Sequence, residues 1–163
     1  MRIHGYFGHF GAPWVTVKLR RAEGERVLEV PFIIDTGAYR SMVGTQVIYD
    51  LGVSIHELRK SVGTAVGFGG RTQFYFLQHV DLTFESDQGP HTEHLSKIMT
   101  TFGPYTGVHR KRPHVQSVLG RDILDRYALI LDKRAGIVML TDEDLAGLGS
   151  MEDLFERQVG EEA

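Results

Sequence analysis

A chain of 163 residues, 42% hydrophobic and 24% charged, is long enough to bury one real core and is expected to fold as a single domain. Its formal net charge of -3 argues against a surface built for polyanions or an anionic membrane face. The absence of cysteine excludes disulfides, thiolate metal sites and a cysteine nucleophile together, and no apolar run approaches the roughly 20 residues a transmembrane helix requires.

Residues 1–10 carry one basic residue and no apolar h-region, so no secretory signal is expected and the expected location is cytoplasmic. Residues 14–19 alternate as a half-buried strand does, and the charged stretch 20–26 around Gly24 predicts a hairpin turn. A second strand follows over 27–34. Leu28, Val30 and Phe32 share one face, and Ile33 and Ile34 make its end apolar throughout, as in a strand entering the core. It runs directly into Asp35-Thr36-Gly37-Ala38. A short helix is predicted over 45–51, with Thr45 as its cap and Gly52 as its stop.

Strands over 62–68 and 72–77 flank Gly69-Gly70, a hairpin signal because both turn positions tolerate positive φ. A further strand is expected over 79–84. In 86–113, Gly89-Pro90, Gly103-Pro104 and 109–113 mark loops around one strand near 95–99. A strand over 115–119 ends at Gly120, followed by a short helix over 121–127. Then come a strand over 129–132, a turn at 133–136 and a last strand over 137–140. Thr141 is placed to cap a helix over 142–148, and the acidic tail is expected to be loosely ordered. Nineteen glycines among short β-branched and aromatic runs fit strands joined by tight turns, so the fold expected is mainly β.

Chemistry concentrates at Asp35. A carboxylate set just after a buried apolar strand is costly unless something holds it. Thr36 offers a hydroxyl for local bonding, and Gly37 lets the backbone turn tightly and approach another chain closely. Alone, Asp-Thr-Gly reads equally well as an ordinary strand-end turn. Downstream, however, Ser117-Val118-Leu119-Gly120-Arg121-Asp122-Ile123-Leu124 sets an apolar strand, a glycine and a short helix in succession, with the glycine-tipped hairpin between the two segments.

This order, from Asp-Thr-Gly-Ala through the hairpin to Leu-Gly-Arg-Asp, resembles the retropepsin-like (retroviral-type) aspartic protease family over residues 15–140. The resemblance implies a closed β-barrel or sandwich with a flap hairpin and one short helix after Leu-Gly-Arg-Asp. The protease domain would span 1–149 and the tail 150–163. By position, Asp35 becomes the catalytic carboxylate, with Thr36 and Gly37 completing the active-site turn. In that family the threonine hydroxyl bonds across to the partner chain. Ala38, Phe68, Gly69, Gly70 and Leu119 become substrate-binding residues, Gly69 and Gly70 at the flap tip and Leu119 with Gly120 in the loop bracing the turn. Asp-Thr-Gly occurs once, so the implied enzyme is a homodimer with one Asp35 from each chain, hydrolysing peptides or unfolded proteins without a metal or other cofactor. The alternative is a dimeric peptide-binding or assembly module of the same fold without useful turnover.

Two positions depart from the family pattern. Retroviral enzymes commonly carry acidic residues just after Asp-Thr-Gly-Ala; here stand Tyr39 and Arg40. That removes an expected ion-pair partner for Arg121 and leaves Asp122 or Asp125 as candidate partners for Arg40. Other patterns are weaker. His91 and His94, with Glu93 between them and His109 and His114 nearby, have ligand-like spacing, but without His-Glu-x-x-His they read as solvated histidines rather than a zinc site. Arg110-Lys111-Arg112, short and in an acidic chain, reads as a solvated loop, with an autoprocessing or substrate-contacting loop as the alternative and no nucleic-acid partner expected. Gly67-Phe68-Gly69-Gly70 lacks the Lys-Ser/Thr of a phosphate loop, and Ser41 and Ser117 lack a nucleophile elbow.

Overall fold

The computed structural model describes residues 1–67, 70–101 and 115–143. Short strands β1 (Arg2–His4) and β2 (Tyr6–Phe7) lead into β3 (Pro13–Arg21) and β4 (Val27–Ile34). Next come β5 (Met42–Val43), helix α1 (Thr45–Asp50), β6 (Arg59–Gly67), β7 (Gly70–Ser86) and β8 (Gly89–Thr101). The chain closes with β9 (Ser117–Leu119), helix α2 (Arg121–Leu124), β10 (Ala128–Asp132) and β11 (Ile137–Thr141).

Six strands form a closed barrel in the order β3-β4-β9-β5-β8-β7, shut by pairing between β7 and β3. Most neighbours are antiparallel, but β4–β9 and β5–β8 are parallel, so the barrel is mixed. Alternation dictates what faces inward. Val15, Val17 and Leu19 of β3 and Val30, Phe32 and Ile34 of β4 are buried, while Thr16, Arg20, Glu29 and Pro31 point out to solvent. Phe32, Leu19, Leu82, Phe84 and Leu119 are fully enclosed, each stabilising the fold by about 1.5–3 kcal/mol. Outside the barrel, β10, β11 and β1 continue the sheet from β7, and β2 lies against β3. Among the described residues no helix is long and apolar enough to cross a membrane.

The largest difference from the sequence expectation lies in β7 and β8. The strands expected at 72–77 and 79–84 are one strand of 17 residues, and 86–113 holds a 13-residue strand rather than a short one near 95–99. The reason is a crease at His79. This residue sits at φ 53 and gives its carbonyl to the Ala22 N–H. Leu77 and Val80 are therefore both buried although three positions apart, as are their partners Ile98 and Leu95. A break in alternation looks like a chain break in sequence, yet the β7–β8 register runs unbroken through it. Gly89-Pro90 marks a turn only through Gly89 (φ 99); Pro90 already pairs with Glu85.

Smaller corrections follow the same logic. Thr45 is the first residue of α1, not its cap; Gly44 takes that place, and the Thr45 hydroxyl donates to the Thr101 carbonyl. Gly52 does stop the helix, at φ 73. Helix α2 is a single turn ending at Leu124, shorter than 121–127. Thr141 ends β11 with its hydroxyl donating to the Met1 carbonyl, and β1 and β2 had no counterpart in the sequence reading. Residues 144–148 of the expected helix, the tail 150–163, Phe68, Gly69, the basic cluster at 110–112, His109 and His114 lie outside the described residues.

A buried carboxylate ties the end of α2 to the barrel. Glu93 accepts a hydrogen bond from the Tyr127 hydroxyl at 2.6 Å and pairs with Arg126, while His91 Nε2 stands 2.9 Å from the same hydroxyl. Burial pushes the Glu93 pKa up, but the Tyr127 bond and the Arg126 charge outweigh it, holding the carboxyl below its ordinary 4.5. A carboxylate depressed on folding contributes stability above its unfolded pKa and loses it as pH falls through the folded value. Tyr127→Phe is therefore expected to destabilise the protein by about 1–2 kcal/mol at pH 7. The gap between variant and wild type should narrow below pH 4.5, as read from urea denaturation midpoints at both pH values; an unchanged gap would remove the linkage.

Candidate active site

Strand β4 and strand β5 are not hydrogen-bonded to each other; β9 lies between them, parallel to β4 and antiparallel to β5. Loop 35–41, which joins β4 to β5, must therefore cross the end of β9. The crossing is tight. A Cβ on Gly120 would stand 2.5 Å from the Arg40 carbonyl carbon and 2.9 Å from the Ser41 nitrogen, closer than real Cβ contacts. Only glycine fits beneath this strand-to-strand bridge.

At the start of the crossing the Asp35 N–H donates to the Leu119 carbonyl at 3.1 Å, fixing the turn to the end of β9. The Asp35 carboxylate accepts the Gly37 N–H at 2.9 Å, and the Ala38 N–H returns to the Asp35 carbonyl at 3.1 Å. Asp35, Thr36 and Gly37 are all exposed, and Ala38 is half-buried. The Arg121 N–H donates to the Ala38 carbonyl at 2.9 Å, so the two segments read as related in sequence are hydrogen-bonded together.

Ser41 locks the far end. Its hydroxyl donates to Asp122 Oδ1 at 2.6 Å and accepts the Gly120 N–H at 2.9 Å, and its own N–H reaches the same Asp122 oxygen at 2.8 Å. Ser117, also buried, accepts the Gly44 N–H at 3.1 Å. Both serines thus serve the backbone of the crossing, a role the sequence reading missed by considering them only as nucleophiles. Asp122 is engaged with Ser41 and not with Arg40. Arg40 and Arg121 instead approach the Tyr39 ring, each with its guanidinium carbon 5.6 Å from the centroid.

The remaining predicted residues fall in different places. Leu119 is wholly buried in the single chain, with its carbonyl facing Asp35. Gly70 opens β7 opposite Gly67, at the end of the β6–β7 hairpin. His91 and His94 are drawn apart: His91 meets Tyr127 and Glu93, whereas His94 Nδ1 lies 2.7 Å from Asp81, itself paired with Arg20. Among the described residues no three His, Asp or Glu side chains converge as a metal site.

The chain matches the crystal structure of a retropepsin-like aspartic protease from Rickettsia conorii at 15% identity, covering 86% of this chain and 89% of that one with a TM-score of 0.55. It also matches EIAV protease complexed with the inhibitor HBY-793, at 18% identity over 73% of this chain and 90% of that one, with a TM-score of 0.45. No family model and no curated protein matches the sequence. The fold is retropepsin-like: a closed mixed barrel with the Asp-Thr-Gly turn on the loop that crosses β9.

Ser41→Ala strips the buried Gly120 N–H of its acceptor and the half-buried Asp122 carboxylate of one of its two donors. It is expected to cost about 1–3 kcal/mol in urea denaturation. Gly120→Ala should cost at least as much, because its Cβ meets backbone that cannot rotate away. Wild-type midpoints in both variants would show that the crossing is not under this constraint.

Proposed function

We propose that this chain is one subunit of a homodimeric aspartic endopeptidase, in which two Asp35 carboxyls meet across a twofold axis. The observation that carries the reading is the exposed Asp-Thr-Gly turn, held at both ends by backbone hydrogen bonds within a retropepsin-like fold. Exposure of Asp35, Thr36 and Gly37 suits a surface completed by a second copy. Strand β10 adds to this. Among the described residues it pairs with β11 alone, and its free edge carries Leu131 at 47% exposure with no charge before Asp132.

Two carboxyls at hydrogen-bonding distance cannot both ionise cheaply, so the pair keeps one proton over a wide pH range, the behaviour known for aspartic protease dyads. The ionised carboxylate takes a proton from water as the water oxygen bonds to the scissile carbonyl carbon. The protonated carboxyl donates to the carbonyl oxygen, giving a neutral gem-diol. One diol proton then returns to the dyad, the amide nitrogen is protonated, and the C–N bond breaks to free acid and amine. The dyad ends with the single proton it began with. An extended peptide would lie between the active-site turns and the β6–β7 hairpins as an added strand.

Cleavage of an unfolded protein or pooled peptides across about pH 4–7 tests the reading. Asp35→Asn is expected to lower the rate by about 10²–10⁴-fold or more while leaving the protein folded and dimeric. Wild-type activity should rise faster than linearly with protein concentration where the dimer is partly dissociated. A wild type as inactive as Asp35→Asn, although dimeric, would favour a peptide-binding module instead.

A further inference from the structure

Beside the active-site turn stands a cationic cluster that the proposed chemistry does not use. Tyr39 is 70% exposed, and the exposed Arg40 and Arg121 both lean on its ring. Among the described residues neither arginine has a carboxylate partner; Asp122, next to Arg121 in sequence, is engaged by Ser41. A guanidinium drawn to an aromatic ring is biased in orientation while its N–H edge stays free. That is the arrangement that takes a carboxylate in a bidentate grip.

Its position relative to Asp35 is set by backbone contacts. The Arg121 N–H is bonded to the Ala38 carbonyl, and the Arg40 backbone presses on Gly120, so both side chains leave from the segments that hold Asp35. Five residues separate Asp35 from Arg40, at most about 17 Å if extended, and the turn shortens that span. An extended peptide rises about 3.3 Å per residue. A carboxylate reached by these guanidiniums therefore lies within about five residues of a bond held over Asp35.

We propose that Tyr39, Arg40 and Arg121 form a carboxylate-reading platform, and that the preferred peptide carries Asp or Glu within about five residues of the scissile bond. This inference rests on the protease reading above. A twofold axis repeats the platform at the other end of the cleft, so acidic residues on both sides of the bond are read.

The test uses an extended peptide cleaved by the wild type, with each position within about five residues of the cut set in turn to Glu, Gln or Lys. At one of these positions kcat/KM for Glu should exceed that for Gln by about five- to tenfold at low salt. The ratio should collapse toward one near 1 M salt. Arg40→Glu should invert the preference toward Lys, and Arg40→Lys should retain only part of it, because a point charge cannot grip both oxygens. Taking ratios within each variant removes any general loss of activity. A ratio of one at every position, with cleavage intact, overturns the platform and leaves the protease reading standing. If the wild type cleaves no peptide, the protease reading fails on its own. The platform is then decided by fluorescence anisotropy of fluorescein-labelled Glu and Gln peptides on the same protein: a preference for Glu of about fivefold supports it, and equal affinities overturn it.

Discussion

Everything at the candidate site depends on one steric fact, that loop 35–41 must pass over the end of β9 with no room for a side chain at Gly120. Because β9 separates β4 from β5, the chain has no shorter route between them. The close approach places the Asp35 N–H on the Leu119 carbonyl and the Arg121 N–H on the Ala38 carbonyl. Ser41 and Asp122 then satisfy the polar groups that the crossing buries. Rigidity of the turn thus comes from a backbone crossing rather than from the turn residues, which is why the turn itself can stay exposed.

The acidic groups divide accordingly. Asp122 is engaged by two donors from Ser41, Glu93 by Tyr127 and Arg126, and Asp81 by Arg20 and His94, whose hydrogen bonds hold its carboxyl below the ordinary range. Each of these carboxylates ties two distant segments together. Asp35 is different: it accepts one N–H from its own turn and otherwise faces outward. Under the protease reading proposed above, this is the carboxylate left with lone pairs for a substrate, whereas its engaged counterparts serve the fold.

Much of this was legible in the sequence. Strand β4 falls on residues 27–34 as read, because its alternation ends in an apolar pair at the entry to the core, and Gly24, Gly52 and Gly136 mark true turns or stops. Strands β7 and β8 were misjudged at His79, where a local left-handed residue shifts the inward face while pairing continues. The partners of Ser41 and Asp122 lie 81 residues apart, a separation that no local pattern encodes. Tyr39 and Arg40 were visible as departures, but the approach of Arg121 to the Tyr39 ring follows only from the crossing.

Strand β7 has a mechanical meaning as well as a topological one. Residues 80–84 pair with β3 on one side and β8 on the other, residues 75–76 with β6 and β8, and residues 70–73 with β6 alone. The 17-residue strand is thus a beam clamped from residue 74 onward, with the crease at His79 inside the clamp, where its second neighbour changes from β6 to β3. In such a cantilever a small rotation at the support becomes a large displacement at the tip. Substitutions near His79 or its contact at Ala22 therefore act on the support of the hairpin rather than on its free arm at residues 70–73.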